Sequence, residues 1–428
     1  MSGARFRSLV REHGELLLIF SIGVLLRIGY VARTGIGMRM HDASSHMEYI
    51  TYVLQHWQVP HAQLGWEMHQ PPLYYILAAL AGKANVLLTG GTPPWQGIQL
   101  LSFFLSIVTA AIGCVIAATL FPAKREEDER LLLAALLCVF PGLIFPASQI
   151  SNDALTFPWI FAFAALLLRW WKSGKERDWF WCSLIAGASL LVKLTAALML
   201  PVLLLCIAAK GGISRTRTWM MAAAATAFSA GISAWFILLR WSESYYDKLL
   251  HPGTGPTMDA RLLLPRSVVD FLIFSPPRIL LLPFANPWAD ESGRRFFWEY
   301  LFRSAFFGEW RNPSYVFFAQ VLLIMGLGML GLAIVGCIRM IRERRPVVVP
   351  LLALFIIPLA SLMTIRMAHP CVCLQDFRFI PSIAISLSVF AVMSLQDANP
   401  RWRPWIKGWI AGFAVLCAAF VLALSYAG

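Results

Sequence analysis

Long apolar runs alternate with short polar segments over the whole chain. They lie near 16–32, 72–89, 97–121, 131–149, 154–171, 179–192, 194–209, 218–240, 316–338, 346–364, 379–395 and 408–426. About 20 apolar residues in a helix cross a hydrocarbon layer of roughly 30 Å, so the pattern predicts an all-α polytopic membrane protein. Composition agrees: 58% of the 428 residues are hydrophobic and 14% charged, against roughly 25% charged in soluble domains. A water-soluble globular enzyme is excluded.

The net charge of +13 sits between the apolar runs, where it reads as a topology signal and not as a nucleic-acid surface. If all twelve runs crossed from a cytoplasmic N-terminus (Arg5, Arg7, Arg11), five basic loops would face outward. These carry Lys124/Arg125/Arg130, Arg169/Lys172/Lys175/Arg177, Lys210/Arg215/Arg217, Arg339/Arg342/Arg344/Arg345 and Arg401/Arg403/Lys407. Laying the run after Pro71-Pro72 on the outer surface turns all five inward, as the positive-inside rule requires. Inner stretches then hold 20 basic and 10 acidic residues, outer ones 15 and 13, with Arg27 inside the first span. Lys83 and Asn85 suit that run to an interfacial position. The expectation is eleven spans in the plasma (inner) membrane, N-terminus inside, with the first span kept as a signal anchor. No repeat is visible, so 1–428 reads as one transmembrane domain with two large outer loops, 34–96 and 241–315. Six of the eight cysteines lie in apolar runs and behave as small hydrophobes.

In the first outer loop, Met47, Ile50, Val53, Leu54 and Trp57 recur at helical spacing from Ala43 to Trp57, with His46, Glu48, Tyr52, Gln55 and His56 as the polar company. Asp42 stands just before this amphipathic helix. Its plain reading is an N-cap; its chemical reading is a general base at the membrane surface. Five of eight histidines (His41, His46, His56, His61, His69) share the loop with Asp42, Glu48 and Glu67, so a divalent metal is conceivable, although no HExxH-type spacing occurs. The loop closes on Glu67-Met68-His69-Gln70-Pro71-Pro72-Leu73-Tyr74-Tyr75, where the prolines start a helix and the tyrosines suit an interface.

An Asp after the first span, a surface helix and a His/Glu-x-Pro-Pro-Leu-Tyr-Tyr stretch resemble the GT-C glycosyltransferases, in particular the protein O-mannosyltransferase and lipid A aminoarabinose transferase branch. The resemblance implies two juxtamembrane helices in this loop, the Pro-Pro one not crossing. It also implies an acidic role for Asp153 in Asn152-Asp153-Ala154-Leu155, a Lys at the turn holding Lys193 and Thr195, and an Arg at Arg378. Each has a plain alternative: capping for Asp153, snorkelling for Lys193, pairing with Asp376 for Arg378. Two departures stand out. Relatives have Asp-Glu where this chain has Asp42-Ala43, so the second acid's job is either absent or taken by Glu48, and they have a Lys where this chain has Gln70, leaving His69 as the nearer phosphate ligand. In the second loop, nine basic residues including Lys248 accompany the aromatic run from Phe296 to Trp310, which reads as an interfacial helix.

The implied activity moves a sugar from a polyprenyl-phosphate donor to a lipid, glycan or protein acceptor at the extracytoplasmic face, by one inverting displacement. Asp42 is then the base and Asp153 the acceptor orienter. His69, Lys193 and Arg378 are the phosphate candidates, and His46, Glu48, Glu67, Gln70 and Tyr74 complete the substrate site. A phosphate acceptor, already ionised, would leave Asp42 an orienting role only. No cofactor is required by this scheme and no nucleic acid is expected. A transporter or flippase would show ionisable groups near the midplane, where this sequence has almost none; a metalloenzyme using the histidine-rich loop would lose activity to a chelator.

Overall fold

Backbone amides in lipid have no water to bond and close their hydrogen bonds within helices. The computed structural model, which describes residues 3–91, 93–212, 215–243, 260–396 and 398–426, is accordingly helical. Its elements are α1 (Gly3–Arg33), α2 (Ala43–His56), α3 (Leu73–Thr89), α4 (Trp95–Leu120), α5 (Glu127–Val139), α6 (Pro141–Ile144), α7 (Asp153–Ser173), α8 (Glu176–Val192), α9 (Met199–Gly211), α10 (Thr216–Ser242), α11 (Pro276–Leu281), α12 (Phe297–Phe307), α13 (Val316–Arg342), α14 (Val348–Ala368), α15 (Ser382–Met393) and α16 (Arg403–Tyr426). Lys248 lies outside the described residues. An isolated bridge between Leu263 and Cys371 is the extended pairing among the described residues.

Among the described residues, eight helical segments are long and apolar enough to cross a membrane, and a ninth is the bent pair Lys124–Val139 with Pro141–Ala147. Two further expected spans, α8 and α15, are shorter or more charged, yet both run between the two ends of the bundle. Lys193, after α8, meets Asp153 at the start of α7, while Asp178, in the first turn of α8, pairs with Arg169 at 3.1 Å near the other end of α7. All five basic loops gather at that second end, laced by Lys407–Asp128 (2.7 Å), Arg403–Glu129 (3.3 Å), Arg217–Glu176 (2.5 Å) and Arg339 on the Ser394 carbonyl (3.0 Å).

Two irregular features set the opposite end. Pro141 has no amide hydrogen to continue α5, and the chain bends by 61° there. The carbonyls freed at the bend are met by Arg27 from inside α1, whose guanidinium bonds Cys138 O (2.8 Å) and Leu143 O (3.3 Å), besides Gly23 O (2.9 Å) and Ser106 Oγ (2.7 Å). A charge inside a span is thus explained by backbone groups that need a donor. Gly142, next in the chain, passes so near α12 that a Cβ would lie 2.5 Å from Ala305 O and 2.9 Å from Phe377 Cε1.

The second feature is the α2/α3 pair. α3 packs on α2 and on the first turns of α4, with Gly82 against Pro94 and Ile98 and Gly97 against Asn85. It begins and ends at the same end of the bundle. The face of α2 turned inward is His46, Tyr49, Ile50 and Val53, rotated from the expected apolar stripe, because Tyr49, Tyr74 and Tyr75 join Ile150, Leu155 and Val192 in one buried cluster. Trp57 remains exposed. The second-loop aromatic run also departs from expectation. It forms α12, whose Phe297, Tyr300, Arg303, Phe306 and Phe307 are buried in the bundle against α6 and the turn at Phe377, and are not spread on an interface.

Candidate active site

Asp42 closes the loop after α1 with φ 49° and ψ 32°, a left-handed conformation that a short polar side chain tolerates at a cost of about 1–2 kcal/mol. Its carbonyl accepts from His46 N at 3.1 Å, but its carboxylate makes no capping bond. The cap reading is therefore overturned. The freed carboxylate, 43% exposed, lies 3.7 Å from Arg378 Nη2. Asp153, the first residue of α7, is 1% exposed; its Oδ1 accepts from Lys193 Nζ, and its Oδ2 lies 3.5 Å from Arg378 Nη1. Lys193 is buried with Asp153 and does not snorkel.

One guanidinium thus stands between two carboxylates. Arg378 is held by a short turn in which Asp376 Oδ1 accepts from Arg378 N at 2.9 Å, so Asp376 orients its backbone while the side chain goes elsewhere. The Phe379 ring receives both cations, Arg378 at 5.0 Å and Lys193 at 5.1 Å. Burial opposes the Arg378 charge, but Asp153, Asp376, Glu309 and Asp42 outweigh it and hold the group above its ordinary pKa. At 3.5 and 3.7 Å its partners are beyond a good hydrogen bond, and its Nε has no partner. Donors remain for an anion.

A second cluster adjoins the first. Glu309 Oε2 lies 3.1 Å from His41 Nδ1, and Tyr300 OH donates to Glu309 Oε1. Burial alone would raise the Glu309 pKa, but His41 and Arg378 draw it down; Asp376, buried beside the Glu309 charge, is pushed up. Glu309 and Tyr300 were not singled out by sequence reasoning, since an acid inside an aromatic run carries no spacing signal. A cavity of about 20 Å³ is lined by His41, Gln149, Asp153, Trp310, Asp376 and Arg378 among others.

The remaining first-loop candidates divide. His46 Nδ1 bonds Tyr75 OH at 2.8 Å and is buried in the field of Glu67, Asp153 and Arg378; burial lowers its pKa to about 4. Glu67 is buried with Oε2 unpartnered. Gln70 accepts from Asn152 Nδ2 at 3.1 Å, tying the Pro-Pro stretch to the residue before Asp153, and Tyr74 is fully buried in the same cluster. Glu48 is exposed and lies toward Gly65, so it does not stand in beside Asp42. His69 Nδ1 bonds Trp66 O at 2.8 Å, and burial lowers its pKa to about 4. Its Nδ1 is thus committed to the backbone, and a neutral imidazole brings no positive charge to the phosphate role expected for it. Of the five loop histidines, among the described residues only His41 joins a group of metal-competent side chains.

An apolar groove of about 350 Å³ runs beside the site between α5, α12, α13, α14, α15 and α16. Phe140, Phe302, Phe306, Met329 and Phe355 line it, and Phe377, the residue before Arg378, is a wall of both the groove and the small cavity.

No family model matches the sequence, and no curated protein matches it. Solved structures do. ArnT from Cupriavidus metallidurans in the apo state aligns with a TM-score of 0.55 at 13% identity, over 92% of this chain and 62% of that one. ArnT from the same organism bound to undecaprenyl phosphate gives 0.55 at 12% identity, over 96% and 77%. The Archaeoglobus fulgidus oligosaccharyltransferase in complex with Zn and sulfate gives 0.51 at 12%, over 95% and 53%. The chain therefore spans less than two thirds of the first ArnT chain and about half of the oligosaccharyltransferase. The two neighbours are GT-C glycosyltransferases, and it is their fold, an all-α polytopic GT-C fold, that this chain has.

Proposed function

We propose that the protein is a membrane glycosyltransferase that moves a sugar from a polyprenyl-phosphate carrier to an acceptor hydroxyl at the extracytoplasmic face. The observation that carries this is Arg378, poised with spare donors between Asp42 and Asp153 at the head of an apolar groove. The groove suits a prenyl chain, and Arg378 with Lys193 suits the phosphate. That one ArnT structure holds undecaprenyl phosphate supports the same donor class here. In this reading the chain crosses the plasma (inner) membrane eleven times, with the basic end cytoplasmic.

In the step proposed, the acceptor oxygen attacks the anomeric carbon and passes its proton to the Asp42 carboxylate. The bond from that carbon to the phosphate oxygen breaks, and its electron pair leaves on the phosphate. Arg378 and Lys193 stabilise the growing negative charge, and Asp153 holds both cations in place. A single displacement inverts the centre. Asp42 suits the base because it alone of the pair reaches water; Asp153 is committed to Lys193.

The test joins mass spectrometry of lipid co-purified with the full-length protein to transfer assays of Asp42→Asn. A prenyl phosphate in the wild type, with transfer lost in the variant, is the expected outcome. Turnover retained by well-folded Asp42→Asn refutes the role of Asp42; absence of any prenyl lipid together with no transfer from prenyl-phosphate sugars refutes the donor class.

A further inference from the structure

We propose that His41, Glu309 and Asp376 bind one divalent transition cation of the zinc type, at a site that adjoins the sugar-transfer residues through the Asp376–Arg378 turn and uses neither Asp42 nor Asp153 as a ligand. The three come from the loop after α1, the loop between α12 and α13 and the loop between α14 and α15, and their ligand atoms lie within 4.8 Å of one another. A zinc bound at about 2.0–2.2 Å places its donors roughly 3.5 Å apart. His41 Nδ1 and Glu309 Oε2 are already at 3.1 Å, so small side-chain movements close the triangle.

The hydrogen bonding of the carboxylates supports the assignment. Tyr300 OH holds Glu309 Oε1, and the Arg378 amide holds Asp376 Oδ1. Each acid is thereby fixed by one oxygen, the arrangement that orients ligands around a metal. The other oxygen of Asp376, Oδ2, is without a hydrogen-bond partner on a residue 2% exposed. An unsatisfied buried oxygen beside a second carboxylate is costly, and a cation removes the cost. One imidazole and two carboxylates are donors that zinc and manganese accept and magnesium does not favour. The cavity of about 20 Å³ next to His41 and Asp376 has room for the single water that would complete a four-coordinate centre. The other histidines of the loop are not needed.

The proposal goes beyond the transferase reading and is read without turnover. Full-length protein in detergent, stripped with a chelator and freed of it, is titrated with zinc against a chromogenic zinc indicator. One tight equivalent per chain is expected, with magnesium failing to displace it. Asp376→Asn and His41→Gln should each weaken binding by tenfold or more, while His61→Gln and Asp42→Asn keep the equivalent. Loading the wild type with cobalt should add a visible absorption band of a four- or five-coordinate nitrogen–oxygen site, a reading that depends on no variant. No tight equivalent in the wild type, or the same affinity in folded Asp376→Asn, overturns the site. Zinc retained by a transfer-dead Asp42→Asn separates this site from the transferase reading.

Discussion

Arg378 organises the site because three different acids claim it in three ways: Asp376 through the backbone amide, Asp153 from a buried position and Asp42 from the water side. Their exposures divide the labour, 43% for Asp42 against 1% for Asp153. Replacing Asp42 by Asn should lower kcat roughly 10²- to 10⁴-fold, the usual worth of a positioned base, with an unchanged melting midpoint in detergent. Replacing Asp153 by Asn should instead cost stability, roughly 3–5 kcal/mol, by stranding the buried Lys193 charge. Adding Lys193→Met should recover much of that loss in the same melting measurement. His46 makes stability depend on pH. Its pKa is lowered from 6.5 to about 4, so the unfolded chain takes up a proton that the folded chain refuses. The associated stability is whole above pH 6.5 and is lost as the pH falls toward 4, by roughly 3 kcal/mol. The midpoint should therefore drop over that interval, and drop less in His46→Gln.

At the scale of elements, the site rests on a broken helix and on the packed α2/α3 pair. The bend after α5 brings Gln149 and Asp153 under the α2/α3 pair, and Arg27 makes the bend tolerable in lipid by bonding the carbonyls it frees. Gly142 lets α12 and the Phe377 turn close over the bend. Gly142→Ala should force α12 away, costing about 1–3 kcal/mol as overpacking does; because Phe377 moves with it, transfer should fall more than stability alone explains. A Gly142→Ala protein with wild-type transfer would show that the Phe377–Arg378 turn is placed by other contacts. Helical spacing in α2 was readable from the sequence, but the face it buries was not. Aromatic and histidine side chains count as polar company in a periodicity argument, yet here Tyr49 stacks on Tyr75 with ring centroids 3.7 Å apart, and His46 bonds Tyr75 OH.

Across the whole molecule, the basic loops and the candidate site lie at opposite ends of the bundle. Basic loops cluster at one end with ion pairs of their own, the site occupies the other, and the groove joins the site to the bundle interior. Met329 lines that groove on α13. Filling it with Met329→Trp should reduce kcat/KM for long-chain prenyl donors about tenfold and leave a donor with one or two isoprene units little affected, since only the longer chain uses the occupied volume. Equal loss on both donors would place the long chain elsewhere on the protein.

Sequence by itself determined the all-helical membrane architecture and the grouping of basic loops at one end, because each follows from hydrophobic run length and the sign of flanking charge, which are local quantities. It also marked Asp42 through its place just after the first span, while Asp153, Lys193 and Arg378 became candidates through the resemblance to the GT-C glycosyltransferases. Only the tertiary structure decided which way each side chain turned: that Asp42 leaves its cap position for Arg378, that Glu48 turns toward Gly65 and His69 Nδ1 to the Trp66 carbonyl, and that Glu309 and Tyr300 join His41 and Asp376. The physical reason is that a buried polar group must find its partner in space, and pairs such as Asp42 with Arg378 and His41 with Glu309 come from loops more than two hundred residues apart, a distance over which sequence pattern carries no register.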